Sequence, residues 1–227
     1  MAERFKWFDR LWFITFVALT MWSAFQSYTG FTLAWFLLAI NNLFDAYVGV
    51  GLSNGIKRYF YLLLFISSCI TIFVKTQLGL YGSAVSGAVG AIYSLLGYLQ
   101  YKGEITATTK QDTKSIVFNG LLGMVLFVAL YYLDGEQAQN SWLIFGNFMV
   151  FTIGLVGRYL LSQGKDLAYA FWILYDITTF TVEFSVYLIS GNASILIVLV
   201  STTMLFIIDT KTFFVWRHLA RQAKTTN

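Results

Sequence analysis

The sequence predicts an all-α integral membrane protein with eight transmembrane helices, and three observations lead to that prediction. Hydrophobic residues make up 58% of the chain and charged residues only 11%, against about 25% charged residues in ordinary soluble domains. Charge-poor segments of about 20 residues, the length needed to cross the hydrocarbon core of a bilayer, occur eight times. Basic residues are concentrated in alternate loops, which is typical of a multi-pass topology.

The charge-poor segments also divide the chain into units. They lie at about 11–29, 31–50, 57–76, 78–100, 114–133, 141–161, 166–189 and 193–215. We expect an accessory helix, a first triple-helix bundle, a linker with the fifth helix, a second triple-helix bundle and a cytoplasmic tail. These five units are predicted at residues 1–30, 31–102, 103–138, 139–217 and 218–227.

The positions of the basic residues predict the orientation. Of the 15 Lys and Arg residues, all but Lys75 lie at the termini or in loops on one side. Positive charge is enriched on the cytoplasmic side of membrane proteins, so both termini are predicted to be cytoplasmic. This count places Arg158 and Lys165 at the cytoplasmic ends of helices 6 and 7. The net charge of +4 therefore reports topology, and no nucleic-acid binding is expected.

Helices 1 to 5 carry mainly packing signals. Trp7 and Trp12 are typical interface anchors of an accessory helix. In helix 2, Asn41 and Asp45 are one turn apart and could hydrogen-bond inside a bundle. In helix 4, small residues recur every four positions, which allows neighbouring backbones to approach closely. Asn119 is a polar residue in the otherwise apolar helix 5 and is a candidate binding residue.

Helix 7 carries the main candidate binding site. At 100° per residue, five of its side chains fall on one arc of about 80°: Tyr169, Trp172, Asp176, Thr179 and Glu183. A carboxylate at the centre of a membrane helix costs about 2.5 to 3.5 kcal/mol, so such a group normally faces a partner or a cavity. One interpretation is a substrate-binding stripe of aromatic and acidic groups. The alternative is a structural stripe that holds neighbouring helices together by hydrogen bonds.

An internal repeat appears when the chain is shifted by 109 residues. Ser53 and Gly55 then fall on Ser162 and Gly164, at matching helix ends. Helices 2 to 4 correspond to helices 6 to 8, and helix 5 is a single linker between them. Both triplets therefore begin on the same side of the membrane. This layout predicts parallel triple-helix repeats of the kind found in SWEET-type transporters.

Helix 8 adds polar residues that could face the same cavity as the stripe. Three hydroxyl residues lie at mid-depth, namely Ser201, Thr202 and Thr203, and the last two are candidate binding residues. Asp209 and Lys211 are predicted near the cytoplasmic end of this helix, away from the centre of the span. We therefore expect the binding chemistry to be concentrated in the second half of the chain.

No machinery for catalysis is visible. The sequence contains no HExxH, Walker or nucleophile-elbow motif, and its single cysteine, Cys69, allows neither a disulfide framework nor a multi-cysteine metal site. We expect no catalytic residue, metal or cofactor. Two function classes stay open. One is a facilitative transporter of a small vitamin, and the other is a non-transporting sensor or assembly subunit.

A family resemblance favours the first class. The segment GRYLLSQGKDLAYAFWILYDITTFTVEFSVYLISGNAS, followed by a span that contains Lys211 and ends near Trp216, resembles the carboxyl-terminal half of the PnuC family of bacterial vitamin transporters. The stretch GLYGSAVSGAVGAIYSLLGYLQYKG is similar to the matching helix of the first half. The resemblance covers about residues 31–217. Where family members carry a Trp-x-x-Trp pair, this chain has Tyr169 and Trp172. In the last helix, Met204 and its neighbours stand where the family would supply an amide.

The resemblance implies a fold and a function. It implies a SWEET-like 3+1+3 core after one extra amino-terminal helix, a homotrimer, and a place in the bacterial inner membrane. It also implies uptake of nicotinamide riboside by facilitated diffusion, followed by cytoplasmic phosphorylation that traps the vitamin for pyridine nucleotide biosynthesis. Related members carry thiamine or riboflavin, so these vitamins are the alternative substrates.

Overall fold

The computed structural model describes residues 2–26, 33–55, 57–77, 81–101, 103–133, 141–191 and 195–226. Within these ranges the chain forms eight α-helices and one isolated β-bridge. The helices are α1 (Ala2–Gln26), α2 (Leu33–Ser53), α3 (Arg58–Gln77), α4 (Tyr81–Leu99), α5 (Lys110–Leu133), α6 (Ser141–Ser162), α7 (Ala168–Ser190) and α8 (Ile195–Thr226).

The helices follow the predicted segments, with differences at the two ends of the chain. α1 begins well before the predicted start at residue 11, and α8 continues to Thr226, through the segment that the sequence assigns to a tail. That segment contains Leu, Ala, Arg, Gln and Lys, which favour helix, and neither proline nor glycine. The predicted outer loop at 134–140 lies outside the described residues.

The apolar surface is that of a multi-pass membrane protein. By length and composition, three helical segments within the described ranges could cross a membrane, namely Trp142–Ser162, Ala168–Ile189 and Leu199–Ala223. Large apolar side chains also point outward from the bundle, among them Ile14 on α1, Val125 on α5 and Leu188 on α7. Such side chains face lipid in membrane bundles, because hydrocarbon carries no penalty for apolar exposure.

Helix packing has an internal symmetry. In each triplet the middle helix packs on both others, α3 on α2 and α4, and α7 on α6 and α8. Between the triplets, α2 packs on α8 and α4 packs on α6. The shift of 109 residues matches α2 with α6 and α4 with α8, so the α2–α8 contact and the α4–α6 contact are equivalent. This pairing is what two parallel repeats related by a two-fold axis along the membrane normal would produce.

The matched helix ends share two features, a glycine at positive φ and a serine hydroxyl bonded to the carbonyl three residues earlier. Gly55 and Gly164 both adopt positive φ, 134° and 62°, after α2 and α6. Just before them, the Ser53 hydroxyl donates to the Val50 carbonyl at 2.8 Å and the Ser162 hydroxyl donates to the Tyr159 carbonyl at 2.7 Å. Glycine is favoured at such turns because it has no Cβ to clash at positive φ.

At the end of the bundle that carries these turns, the segment before α5 is hydrogen-bonded to the loop between α6 and α7. The linker residue Thr106 pairs with Lys165 in the β-bridge, and the Asp166 carboxylate accepts hydrogen bonds from the Thr108 N–H at 2.7 Å and the Thr108 hydroxyl at 2.9 Å. Lys165 also pairs with Asp112 at 3.1 Å, just before the predicted span at 114–133. Partial burial raises the pKa of Asp112, but hydrogen bonds from Thr109 and Lys165 outweigh it and hold that pKa below its usual value.

The accessory helix α1 is fastened to α8. The Lys211 ammonium group pairs with the Asp9 carboxylate, and it also donates to the Ser53 hydroxyl at 3.1 Å. Both charged side chains are only 7% exposed. Further along α1, the Trp12 indole N–H donates to the Met204 carbonyl at 2.9 Å. α1 is therefore an integral part of the bundle, packed on both α2 and α8.

Candidate substrate cavity

A cavity of about 280 Å³ lies between the two triplets. Residues of α2, α3 and α4 line it on one side, and residues of α6, α7 and α8 on the other. Its charged lining residues are Asp45, Arg158, Asp176 and Asp209. Many of its described lining residues carry polar side chains, and cavities between the helices of a bundle are common ligand sites.

The aromatic wall of the cavity comes from α7. Tyr169, Trp172 and Tyr175 all line the cavity. Trp172 lies edge-on to Tyr175, with ring centroids 5.1 Å apart, while Tyr169 is buried and packs edge-on against Trp216 at 4.9 Å. Because Trp172 is only half-buried, its ring has surface left for a ligand. Trp172 thus keeps part of its ring surface exposed at the cavity, whereas Tyr169 is held by the core.

One side of the cavity is acidic. Asp45 accepts hydrogen bonds from the Ser67 hydroxyl at 2.9 Å and from the Asn41 amide at 3.2 Å. The carboxyl groups of Asp176 and Asp209 lie against each other. Asp176 is 3% exposed, and its Oδ2 atom is buried without a hydrogen-bond partner among the described residues. Two adjacent buried carboxyl groups need a proton or a cation between them, so this side attracts positive charge.

The described lining residues include one cation, Arg158 of α6. Its Nη1 atom donates to the Ser86 carbonyl at 3.2 Å and to the Ser86 hydroxyl at 3.1 Å. Glycine at position 90 provides the necessary space, because a Cβ there would lie 3.3 Å from the Arg158 Nε. The charge count places Arg158 at the cytoplasmic end of helix 6. Arg158 does lie near the end of α6, and its side chain lines the cavity, a direction that position in the chain does not show.

The structure separates the predicted binding residues into two groups. Tyr169, Trp172 and Asp176 line the cavity. The others lie outside its lining: Thr179, Glu183, Asn119, Thr202 and Thr203. Thr203 is exposed and its hydroxyl donates to the Leu199 carbonyl at 2.8 Å, so its hydrogen bond is made within its own helix.

Asn119 does not line the central cavity, but it is hydrogen-bonded to Tyr93, which does. Its side chain donates to the Ser115 carbonyl at 2.8 Å and accepts a hydrogen bond from the Tyr93 hydroxyl. Tyr93 lines both the central cavity and a second, more open groove beside α5 that Asn119 also lines. Asn119 is therefore in contact with the cavity lining through Tyr93 and does not itself line the central cavity.

Sequence reasoning missed Tyr175, Arg158 and Asp209 as cavity residues. Tyr175 precedes Asp176 and lies near the edge of the predicted arc of α7, so a wider arc would have included it. Asp209 is predicted near the cytoplasmic end of its span, yet it is buried beside Asp176. Charged residues inside membrane helices normally face the interior of the bundle, and this rule could have identified Arg158 and Asp209 as cavity residues.

Comparisons with known proteins agree with the resemblance. The model of the family described as "Nicotinamide mononucleotide transporter" matches residues 37–218. The crystal structure of the vitamin B3 transporter PnuC superposes with a TM-score of 0.73 at 16% sequence identity, over 95% of this chain and 92% of that one. A search of curated proteins gives no significant match. Since the family model spans most of the sequence, the chain belongs to the nicotinamide mononucleotide transporter family, whose members are PnuC-type membrane transporters rather than enzymes.

Proposed function

We propose that this protein is a facilitative transporter of a small cationic vitamin, with nicotinamide riboside as the favoured substrate. The single observation that carries the proposal is that Trp172 and Asp176, one helical turn apart on α7, both line the cavity. A pyridinium ring stacked on a desolvated tryptophan gains about 2 kcal/mol of cation–π attraction, and an adjacent carboxylate offsets its charge. Tyr169 would confine the ring from the core side.

Cavity size bears on the choice of vitamin. Pockets for drug-sized ligands span about 300 to 1,000 Å³, so the cavity of about 280 Å³ lies at the small end. This favours a ligand with one aromatic ring and one sugar over the three fused rings of riboflavin. Thiamine, which is also cationic, remains the alternative substrate. We propose that a change in cavity shape, produced when the two triplets move, brings the remaining predicted residues into contact with the substrate: Thr179, Glu183, Thr202 and Thr203.

Uptake into proteoliposomes separates transport from the alternative class, a non-transporting sensor or assembly subunit. A transporter makes entry of radiolabelled nicotinamide riboside saturable and faster than in protein-free vesicles. A sensor would bind the same ligand in detergent and leave vesicle entry unchanged. Saturable entry of thiamine but not of nicotinamide riboside would select the alternative substrate.

We expect transport to follow the substrate gradient alone. No ion pair joins Arg158 to the cavity carboxylates within the described ranges, and we propose that the Asp176 and Asp209 pair binds the cationic substrate without coupling its movement to an ion. The triplets would rock about the glycine turns at Gly55 and Gly164, and cytoplasmic phosphorylation would trap the product. In vesicles without a kinase, imposed proton or sodium gradients should leave the final internal concentration equal to the external one. Accumulation above that level would contradict the expectation and assign coupling to the Asp176 and Asp209 pair.

The proposed topology has eight spans, with a SWEET-like 3+1+3 core after α1 and both termini in the cytoplasm of a bacterium. We expect single cysteines at 134–140 to react with an impermeant maleimide from outside, and cysteines at 103–113 only after permeabilisation. The background is Cys69→Ser, because the native thiol is exposed. The reverse labelling pattern would contradict this topology. Assembly as a homotrimer is proposed from the resemblance and is testable by native mass spectrometry.

A further inference from the structure

Arg158 has a charge that nothing in the described part of the protein neutralises. It forms no salt bridge there, and its hydrogen bonds all run from Nη1 to Ser86. A guanidinium group has five N–H donors in a planar fork, so the side chain keeps donor capacity inside the cavity that it lines. Burying an uncompensated charge in a membrane bundle is expensive, which makes a structural role alone a poor explanation.

The internal repeat supports this point. At the shift of 109 residues, Arg158 corresponds to Gly49 of α2, which also lines the cavity. A Cβ at Gly49 would meet only ordinary contacts, the closest at 3.4 Å from Ile208. The equivalent position therefore needs no long side chain to pack the bundle. Only one of the two equivalent positions therefore carries an arginine, and packing of the repeat does not require it.

Arg158 forms no ion pair with the carboxyl groups of the cavity among the described residues. Arg158 contacts α4 through Ser86, and its guanidinium carbon lies 5.8 Å from the centre of the Trp172 ring. The carboxyl groups of Asp45, Asp176 and Asp209 lie on α2, α7 and α8. Asp176 follows Trp172 by one helical turn on α7, and the guanidinium group lies near the Trp172 ring. A flat ring bound at Trp172 would therefore have both the guanidinium group and a carboxyl group nearby.

We propose that Arg158 is a specificity-determining residue that binds an oxygen acceptor on the ring of the substrate. Among the cationic vitamins proposed above, Arg158 would select those whose ring carries a carboxamide or carboxylate oxygen, because a guanidinium group donates to such an oxygen. This inference rests on the proposed function and goes beyond it, since stacking and charge alone would accept any small aromatic cation. Arg158 donates to the oxygen with the N–H groups that Ser86 does not use.

The test compares three ligands that differ only in the ring substituent: nicotinamide riboside, nicotinic acid riboside and unsubstituted pyridinium riboside. Binding to the purified protein in detergent is measured by calorimetry. We expect the parent protein to bind the two substituted ligands at least about tenfold more tightly than the unsubstituted one, since a hydrogen bond to a charged group is worth about 1.5 to 3 kcal/mol. Arg158→Gln should reduce that preference to less than twofold. Arg158→Lys should restore part of it for nicotinic acid riboside, because the positive charge returns.

The matched control is Arg217→Gln, which removes an exposed arginine of α8 outside the cavity lining and should leave all three affinities unchanged. A parent-like preference in Arg158→Gln would overturn the assignment of Arg158, and so would an equal loss for all three ligands. If Arg158→Gln does not fold, Arg158→Lys replaces it. A weaker preference for nicotinamide riboside over the unsubstituted ligand in Arg158→Lys supports the proposal, and a parent-like preference overturns it. A parent protein that binds none of the three ligands would overturn the proposed function itself.

Discussion

Lys211→Met is expected to lower the free energy of unfolding by about 3 to 5 kcal/mol, the usual effect of leaving one partner of a buried ion pair uncompensated. Lys211 and Asp9 are each 7% exposed, and Asp9 also accepts a hydrogen bond from the Asn54 amide at 2.9 Å. The substitution leaves the Asp9 carboxylate buried between α1 and α8 without its cation. Unfolding in detergent micelles, followed by circular dichroism, measures the loss.

Two further variants show whether the loss comes from the charge. The double variant Asp9→Asn with Lys211→Met removes both charges, so it should be more stable than Lys211→Met alone. Lys114→Met removes an exposed lysine of α5 and should change stability by no more than about 0.5 kcal/mol. Equal losses in the double and single variants would show that packing, and not the ion pair, fastens α1 to the bundle.

Trp172→Ala is expected to weaken binding of a cationic vitamin by about 1 to 3 kcal/mol, because it removes the stacking surface and the cation–π attraction together. Trp172→Phe should keep much of the affinity, since a smaller ring still offers a flat face. Asp176→Asn preserves the shape of the side chain but removes its charge. It should therefore weaken a cationic ligand more than a neutral one such as riboflavin, if the latter binds.

The controls for this prediction separate binding from folding. Trp142→Ala removes an exposed tryptophan of α6 that does not line the cavity and should bind like the parent. Thermal unfolding of each purified variant shows whether a loss of affinity follows a loss of structure. Parent-like affinity in both Trp172→Ala and Asp176→Asn would contradict the binding role of α7, as would losses that track unfolding.

The sequence predicted helices better than it predicted the cavity. Apolar length and turn residues locate the helices because they act within about 20 residues. Helical periodicity likewise placed Tyr169, Trp172 and Asp176 on one face of α7, and all three line the cavity. These predictions depend only on one helix at a time. The pairing of Asp9 with Lys211, 202 residues apart, depends on which helices become neighbours, and no local pattern encodes that.

The hydroxyl residues of α8 illustrate a second limit. Thr203, Thr210 and Thr212 each donate to the carbonyl four residues earlier in their own helix, at 2.7 to 2.8 Å. Threonine can satisfy itself in this way anywhere in a membrane helix, so its presence at mid-depth does not require a cavity. A buried arginine or aspartate has no such option. Charged residues were therefore the stronger signal for the cavity, but Arg158 was used only as evidence for the orientation of helix 6.

The central claim is that the cavity between the two triplets carries a cationic vitamin across the membrane, and counterflow tests it most directly. Proteoliposomes loaded with unlabelled nicotinamide riboside are diluted into a trace of labelled substrate, with no ion gradient. The account predicts a transient accumulation of label inside vesicles with the parent protein, and a much smaller one with Trp172→Ala. Label that enters no faster than in protein-free vesicles, or equal accumulation in the two proteins, would contradict it.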